Sequence, residues 1–287
     1  MIQIKNFFDP ATFTLTYVVW HPTTLDAIVI DPVLDYDPAS SKVSEESVQK
    51  ISAFLKETSL RLLYILETHA HADHLSGSQL LKSKFSGSQV AIGKRITEVQ
   101  EVFRPLFDFP KAFPTDGSQF DRLLEDGEVL KAGSLSIGVR FTPGHTPACA
   151  SYLIEDCLFT GDALFMPDYG VGRCDFPKGS AETLYHSITQ KIYTLPDHIR
   201  VFTGHDYQPN GRPLRFESTI AEEKKSNIQL KADTPKETFI AFRTGRDKTL
   251  SAPKLLLPSI QININAGHLP PPHANGQSYL TIPISKK

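Results

Sequence analysis

The segment LETHAHADHLSG, residues 66–77, holds three histidines and an aspartate within six consecutive positions, His69 to His74. It follows the apolar run LRLLYIL (60–66), which has strand length, and precedes the helix-like LSGSQLLKSKF. The cluster therefore sits on a strand-to-helix loop. A loop so loaded with ligating side chains calls for a metal ion, and a metal ion calls for further donors from elsewhere in the chain. They are present. His145 lies in TPGHTP, where Gly144 and the prolines Pro143 and Pro147 predict a sharp, rigid turn. Asp162 lies in FTGDA and His205 in FTGHDY, each directly after an apolar strand-like run. Residues so far apart in sequence converge if each projects from a loop at one edge of stacked sheets.

The donor chemistry is restrictive. Imidazole and carboxylate suit zinc, ferrous iron, manganese or nickel, and no cysteine stands among them to build an iron–sulfur cluster or a cysteine-rich zinc site. A ligating histidine must be neutral, and its second ring nitrogen needs a partner, which gives Asp73 a supporting role as one option. The chain has ten histidines, and His21, His186, His198, His268 and His273 stand alone, as solvated or hydrogen-bonded residues do.

The remainder of the chain reads as a layered α/β arrangement. FTLTYVVW (13–20), AIVIDP (27–32), SLSIGVRFTPG (134–144), ASYLIED (150–156), CLFTGDA (157–163) and IRVFTGH (199–205) read as strands and turns. SEESVQKISAFLKE (44–57) spaces Val48, Ile51, Phe54 and Leu55 at helical intervals, and AETLYHSITQKIYTL (181–195) is also helical in pattern. Thr219, with Glu222 three residues later, has capping-box spacing. Strands leading into helices, with reactive residues on the loops between, predict a layered α/β catalytic domain over 1–230. Beyond it the texture changes: TPKETFIAFRTGRDKTL looks helical, and LLLPSIQININAGHLPPPHANGQSYLTIPI alternates partly and is dense in proline and glycine. Residues 231–287 are too few for a secure core alone, so this C-terminal extension is expected to pack on the main domain.

Composition excludes other classes. A net charge of -2 gives no general attraction to nucleic acid or anionic lipid. No apolar stretch approaches the roughly 18 residues of a membrane span, and the N-terminal residues lack a signal-peptide pattern. Three cysteines, an odd number without a CxxC pair, fit a reduced cytosol, so a cytoplasmic location is expected.

THAHADH followed by TPGHTP, TGDA and TGHDY resembles the metallo-β-lactamase superfamily over roughly residues 10–225. The resemblance implies a four-layer αββα sandwich with the metal at one edge between two β-sheets. Within that superfamily, GVGRCDF followed by TLYHSI, with HDY later, looks like the persulfide dioxygenases, also called sulfur dioxygenases. MPDYG and the C-terminal SIQININAGHLPPP…NGQSYLTIPI look like a bacterial β-lactamase-like hydrolase branch, so the resemblance covers nearly the whole chain.

That resemblance implies one ferrous iron per chain, held by His69, His145 and Asp162, a two-histidine, one-carboxylate face with open positions. Glyoxalase II-like hydrolases hold two metals, zinc being the alternative here, and recruit His71, Asp73, His74 and His205 as well. Every one of those residues is present, as support for the ligands or as a second metal position. The implied substrates are a small-molecule thiol persulfide, glutathione persulfide first, and dioxygen. Arg173 is expected to pair the carrier's carboxylate, or else to form an ion pair with Asp175 or Asp168. Tyr207 is expected to offer a phenolic donor near the metal. Cys174 stands where the family commonly has threonine and is expected to be a passive substitution. A homodimer is the expected assembly.

Overall fold

The computed structural model describes residues 1–284; the last three residues of the expected extension lie outside the described residues. Two six-stranded sheets stack face to face. The first runs, in spatial order, through Gln3–Asp9, Thr14–Trp20, Asp26–Ile30, Arg61–Glu67, Gln89–Gly93 and Arg122–Leu124. The second runs through Val129–Ala132, Leu135–Phe141, Ala150–Ile154, Cys157–Phe159, Arg200–Phe202 and Glu217–Thr219. The first pairs antiparallel at one side and parallel at the other, where Asp26–Ile30, Arg61–Glu67 and Gln89–Gly93 lie side by side. Strands buried on both faces read as continuous apolar runs rather than alternating ones, which is why LRLLYIL carries no period of two.

Three apolar layers follow from this stacking. Tyr17, Ile28 and Ile30 meet Ile137, Tyr152 and Phe159 between the sheets. Outside the first sheet, Val18, Val29 and Ile65 pack on Val48, Ile51 and Leu55 from the helix Glu46–Glu57. Outside the second, Leu158 and Val201 pack on Leu184, Ile188 and Phe239. The order helix, sheet, sheet, helix is the expected αββα sandwich.

Local differences from the sequence reading are physical. The helix expected over 181–195 is an α-helix only at Ala181–His186, and it widens into a π-helical stretch at Ser187–Ile192. The partly alternating SIQININ is the helix Leu256–Asn263. Thr219 does cap the helix Ile220–Ser226, its hydroxyl accepting from the Glu222 N–H at 3.1 Å. Among the described residues no helix is long and apolar enough to cross a membrane.

The segment after residue 230 is threaded into both outer layers. Phe239 is in the layer outside the second sheet, while Ile260 and Ile264 complete the layer outside the first.

One buried carboxyl makes stability depend on pH. Glu223 is fully buried; Ser218 Oγ donates to its Oε1 at 2.5 Å and Asn227 Nδ2 donates to its Oε2 at 2.9 Å. Burial pushes its pKa up to about 8. The folded chain thus keeps a proton that the unfolded chain releases at ordinary carboxylate pKa, and stability falls as pH rises between those two values. Going from about pH 6 to about pH 8.5 should lower the melting temperature of the native protein more than that of Glu223→Gln, by roughly 2–4 °C. Parallel melting curves for the two proteins would assign the effect to another group.

Candidate metal centre

Each expected donor comes from a loop that follows a strand, and the donors converge in two adjoining groups. The loop after Arg61–Glu67 supplies His69, His71, Asp73 and His74, and the turn after Leu135–Phe141 supplies His145. Asp162 follows Cys157–Phe159, and His205 follows Arg200–Phe202. Two donor groups result. His69, His145 and Asp162 place ligating atoms within 4.8 Å of one another, and so do His71, Asp73, His74 and His205. Asp162 stands between them: Oδ2 is 3.6 Å from His145 Nε2, and Oδ1 is 3.4 Å from His205 Nε2. Asp73 Oδ2 lies 3.0 Å from His205 Nε2.

These residues fit a cation. His69 Nε2, His71 Nδ1, His74 Nε2, His205 Nε2 and Asp162 Oδ1 are buried without a hydrogen-bond partner. Such orphaned atoms are rare in a finished interior and costly unless something else satisfies them. Burial, reinforced by neighbouring imidazoles, drives protons off His69 and His74, lowering the pKa of His74 to about 3. Both rings are therefore neutral, as ligation requires.

The far side of each ring is held. His145 Nδ1–H donates to the Arg173 carbonyl at 2.7 Å, which leaves Nε2 with its lone pair facing Asp162. His74 Nδ1 sits 3.2 Å from the Leu75 carbonyl. His71 Nε2 lies 3.0 Å from Asp31 and 3.4 Å from Glu67. Burial disfavours a charge on His71, but these two carboxylates outweigh it and raise its pKa. Asp31 also accepts from the Thr68 N–H at 2.7 Å and from the Thr68 hydroxyl at 2.8 Å, fixing the start of the loop.

The loop's backbone is tied down from a distance. Asn263 Nδ2 donates to the carbonyls of His71 (2.7 Å) and His74 (2.8 Å), and its Oδ1 accepts from Ser76 N–H at 2.8 Å. The GVGRC segment is tied likewise. Asp247 accepts from Cys174 N–H at 2.8 Å and pairs with Arg243, whose guanidinium also donates to Gln229 at 2.9 Å. Gly172 is required by close approach, because a Cβ there would run into the Asp162 carbonyl oxygen.

A cavity of about 520 Å³ opens onto His145, Asp73 and Asp162. Phe165, Tyr169 and Tyr207 form an aromatic wall, with Tyr169 and Tyr207 stacked at 4.6 Å. Burial, with Asp73 and Asp162 nearby, keeps the Tyr207 phenol protonated and so a hydrogen-bond donor. Arg173 also lines the cavity, but its Nε and Nη2 donate to Asp175 at 2.6 Å and its Nη1 to the Ser251 carbonyl at 2.8 Å. The ion pair with Asp175 is the one formed; Asp168 pairs with Arg212 instead. Cys174 is buried, and burial pushes its thiol well above the ordinary range, consistent with a passive residue.

Sequence reading did not single out Asp31, Glu67, Arg243, Asp247 or Asn263. Only Asp31 carried a signal, as the acidic end of the strand-terminating IDP.

Residues 9–205 match the family described as the metallo-beta-lactamase superfamily, and the chain belongs to it. Within it, the chain is similar to proteins named persulfide dioxygenase and to one named only as a metallo-hydrolase. It is 36% identical over 231 residues to the mitochondrial persulfide dioxygenase ETHE1 of Homo sapiens, covering 80% of this chain and 76% of that protein. The crystal structure of ETHE1 from Myxococcus xanthus has a TM-score of 0.73 and 32% identity, covering 93% of this chain and 100% of that one. A probable metallo-hydrolase of Burkholderia pseudomallei is 46% identical over 293 residues, covering 99% of both chains.

Proposed function

We propose that the protein is an iron-dependent persulfide dioxygenase. It takes a low-molecular-weight persulfide, glutathione persulfide first, with one dioxygen and one water, and returns the thiol, sulfite and two protons. The observation that carries this reading is the His69–His145–Asp162 face, whose His145 and Asp162 line an aromatic-walled cavity together with Arg173. Similarity to persulfide dioxygenases supports it.

A ferrous ion on that face would supply open positions and one-electron redox chemistry, while the four electrons that reduce dioxygen come from the persulfide's outer sulfur. The chain's part is to fix the ligands and shape the site. The Arg173 carbonyl sets the His145 tautomer, Tyr207 offers a proton-bearing oxygen at the wall, and Phe165 and Tyr169 give the cavity an apolar side. The three free cysteines suit a reducing cytoplasm, where we place the protein.

One observation favours a second reading. The group His71, Asp73, His74 and His205 is a complete second donor set, as a dinuclear zinc hydrolase of glutathione thioesters requires. Metal analysis with an oxygen electrode separates the two. Under the dioxygenase reading the purified protein carries about one iron per chain and consumes oxygen with glutathione persulfide. His74→Ala then keeps most of its iron. Two zinc ions, no oxygen uptake and hydrolysis of S-lactoylglutathione would establish the hydrolase instead.

A further inference from the structure

The cavity is lined by buried metal-ligating side chains, by aromatic rings and by exposed cations, and the exposed cations come from the segment beyond residue 230. Four cationic side chains line it: Arg173, Arg243, Arg246 and Lys254. The first two are neutralised locally. Arg173 is forked onto Asp175, and Arg243 is buried against Asp247. Arg246 and Lys254 are exposed at the rim and have no carboxylate within ion-pairing distance among the described residues. Arg246 lies three residues after Arg243 on the helix Lys236–Asp247, so the two side chains share a face. That face turns toward Tyr169, whose phenol feels both guanidinium charges against the larger effect of its burial. Lys254 is held at the same rim by its neighbours Pro253 and Leu255, which also line the cavity.

The lining thus combines buried metal-ligating groups, an aromatic wall and two exposed positive charges that have no carboxylate partner among the described residues. A ligand matching that combination has a sulfur head and an anionic tail. We propose that Arg246 and Lys254 form an anion subsite that holds the negatively charged tail of the thiol carrier, the carboxylates of a peptide thiol or the phosphates of a nucleotide thiol. The inference rests on the reading of this cavity as the thiol site. It also transfers to these residues the charge recognition expected of Arg173, because an arginine already paired bidentately has little left to offer a second carboxylate.

Binding separates the subsite from the reaction. Metal-loaded protein is titrated calorimetrically with glutathione, glutathione diethyl ester and coenzyme A, none of which carries the persulfide sulfur. Glutathione should bind the native chain roughly 10- to 100-fold more tightly than it binds the double variant Arg246→Ala, Lys254→Ala. The diester should bind both proteins alike. Arg246→Glu should weaken glutathione further. Tighter, charge-dependent binding of coenzyme A would support the subsite and name phosphate as its ligand.

Equal affinity for glutathione and its diester in the native chain would overturn the subsite, as would variants that bind like the native protein. If neither charged thiol binds the native chain, the subsite is likewise wrong. Absent oxygen uptake combined with the expected charge dependence would leave the subsite standing and remove the dioxygenase reading alone. Both positions are exposed, so the variants should melt with the native protein, and a melting curve of each checks that they do.

Discussion

Asp162→Ala should strip the protein of metal and lower turnover of glutathione persulfide at least 10³-fold, equivalent to about 4 kcal/mol or more in the barrier. The Asp162 carboxylate stands between the two donor groups, with one oxygen near His145 and the other near His205. Removing it leaves two histidines on one side and breaks the negative charge that offsets a divalent ion on the other. His69→Ala should behave similarly because it removes one of the three donors of the same face, while His74→Ala should not. Metal content per chain, read beside the rate, is the deciding pair of measurements. Native metal content in Asp162→Ala would mean that the ion sits elsewhere.

The second large effect lies outside the histidine cluster. Asp247→Ala should cost about 3–5 kcal/mol of stability, since it leaves the Arg243 guanidinium buried without its counter-charge. A denaturation midpoint measures this directly. The same substitution removes the acceptor for Cys174 N–H, next to the Arg173 carbonyl that orients His145. Metal affinity should therefore fall as well, by roughly 10- to 100-fold, the usual effect of loosening a ligand's partner. Replacing both members, Arg243→Met with Asp247→Leu, should recover much of the stability but not the affinity, because the tether to Cys174 stays missing. A single variant as stable as the native chain would show that Arg243 finds water or another partner.

The contrast between these residues explains what the sequence made legible. His69, His145, Asp162 and His205 could be found because metal binding admits few residue types, and each follows a strand ending in a recognisable turn. The sandwich was legible for a related reason: buried strands leave unbroken apolar runs. Arg243, Asp247 and Asn263 could not be found, because a polar side chain in a helix announces nothing about the buried backbone it will meet. SIQININ was misleading for a definite cause. Ser259, Ile260, Gln261, Ile262 and Asn263 are all buried, so the helix has no solvent face to impose a 3.6-residue period. Arg173 shows the limit in the other direction: its chemistry suited a substrate clamp, and only the geometry shows Asp175 occupying the fork.

The Asn263 tether also bears on the order of events in synthesis. His71 and Asn263 are 192 residues apart, so a growing chain exposes its histidine loop long before the side chain that fixes the loop's carbonyls exists. Chains emerge and begin to fold from the N-terminal side. The backbone that carries His71 and His74 therefore gains its last hydrogen bonds only when the helix Leu256–Asn263 docks, so the histidine loop is finished by the end of the chain rather than by its own neighbourhood.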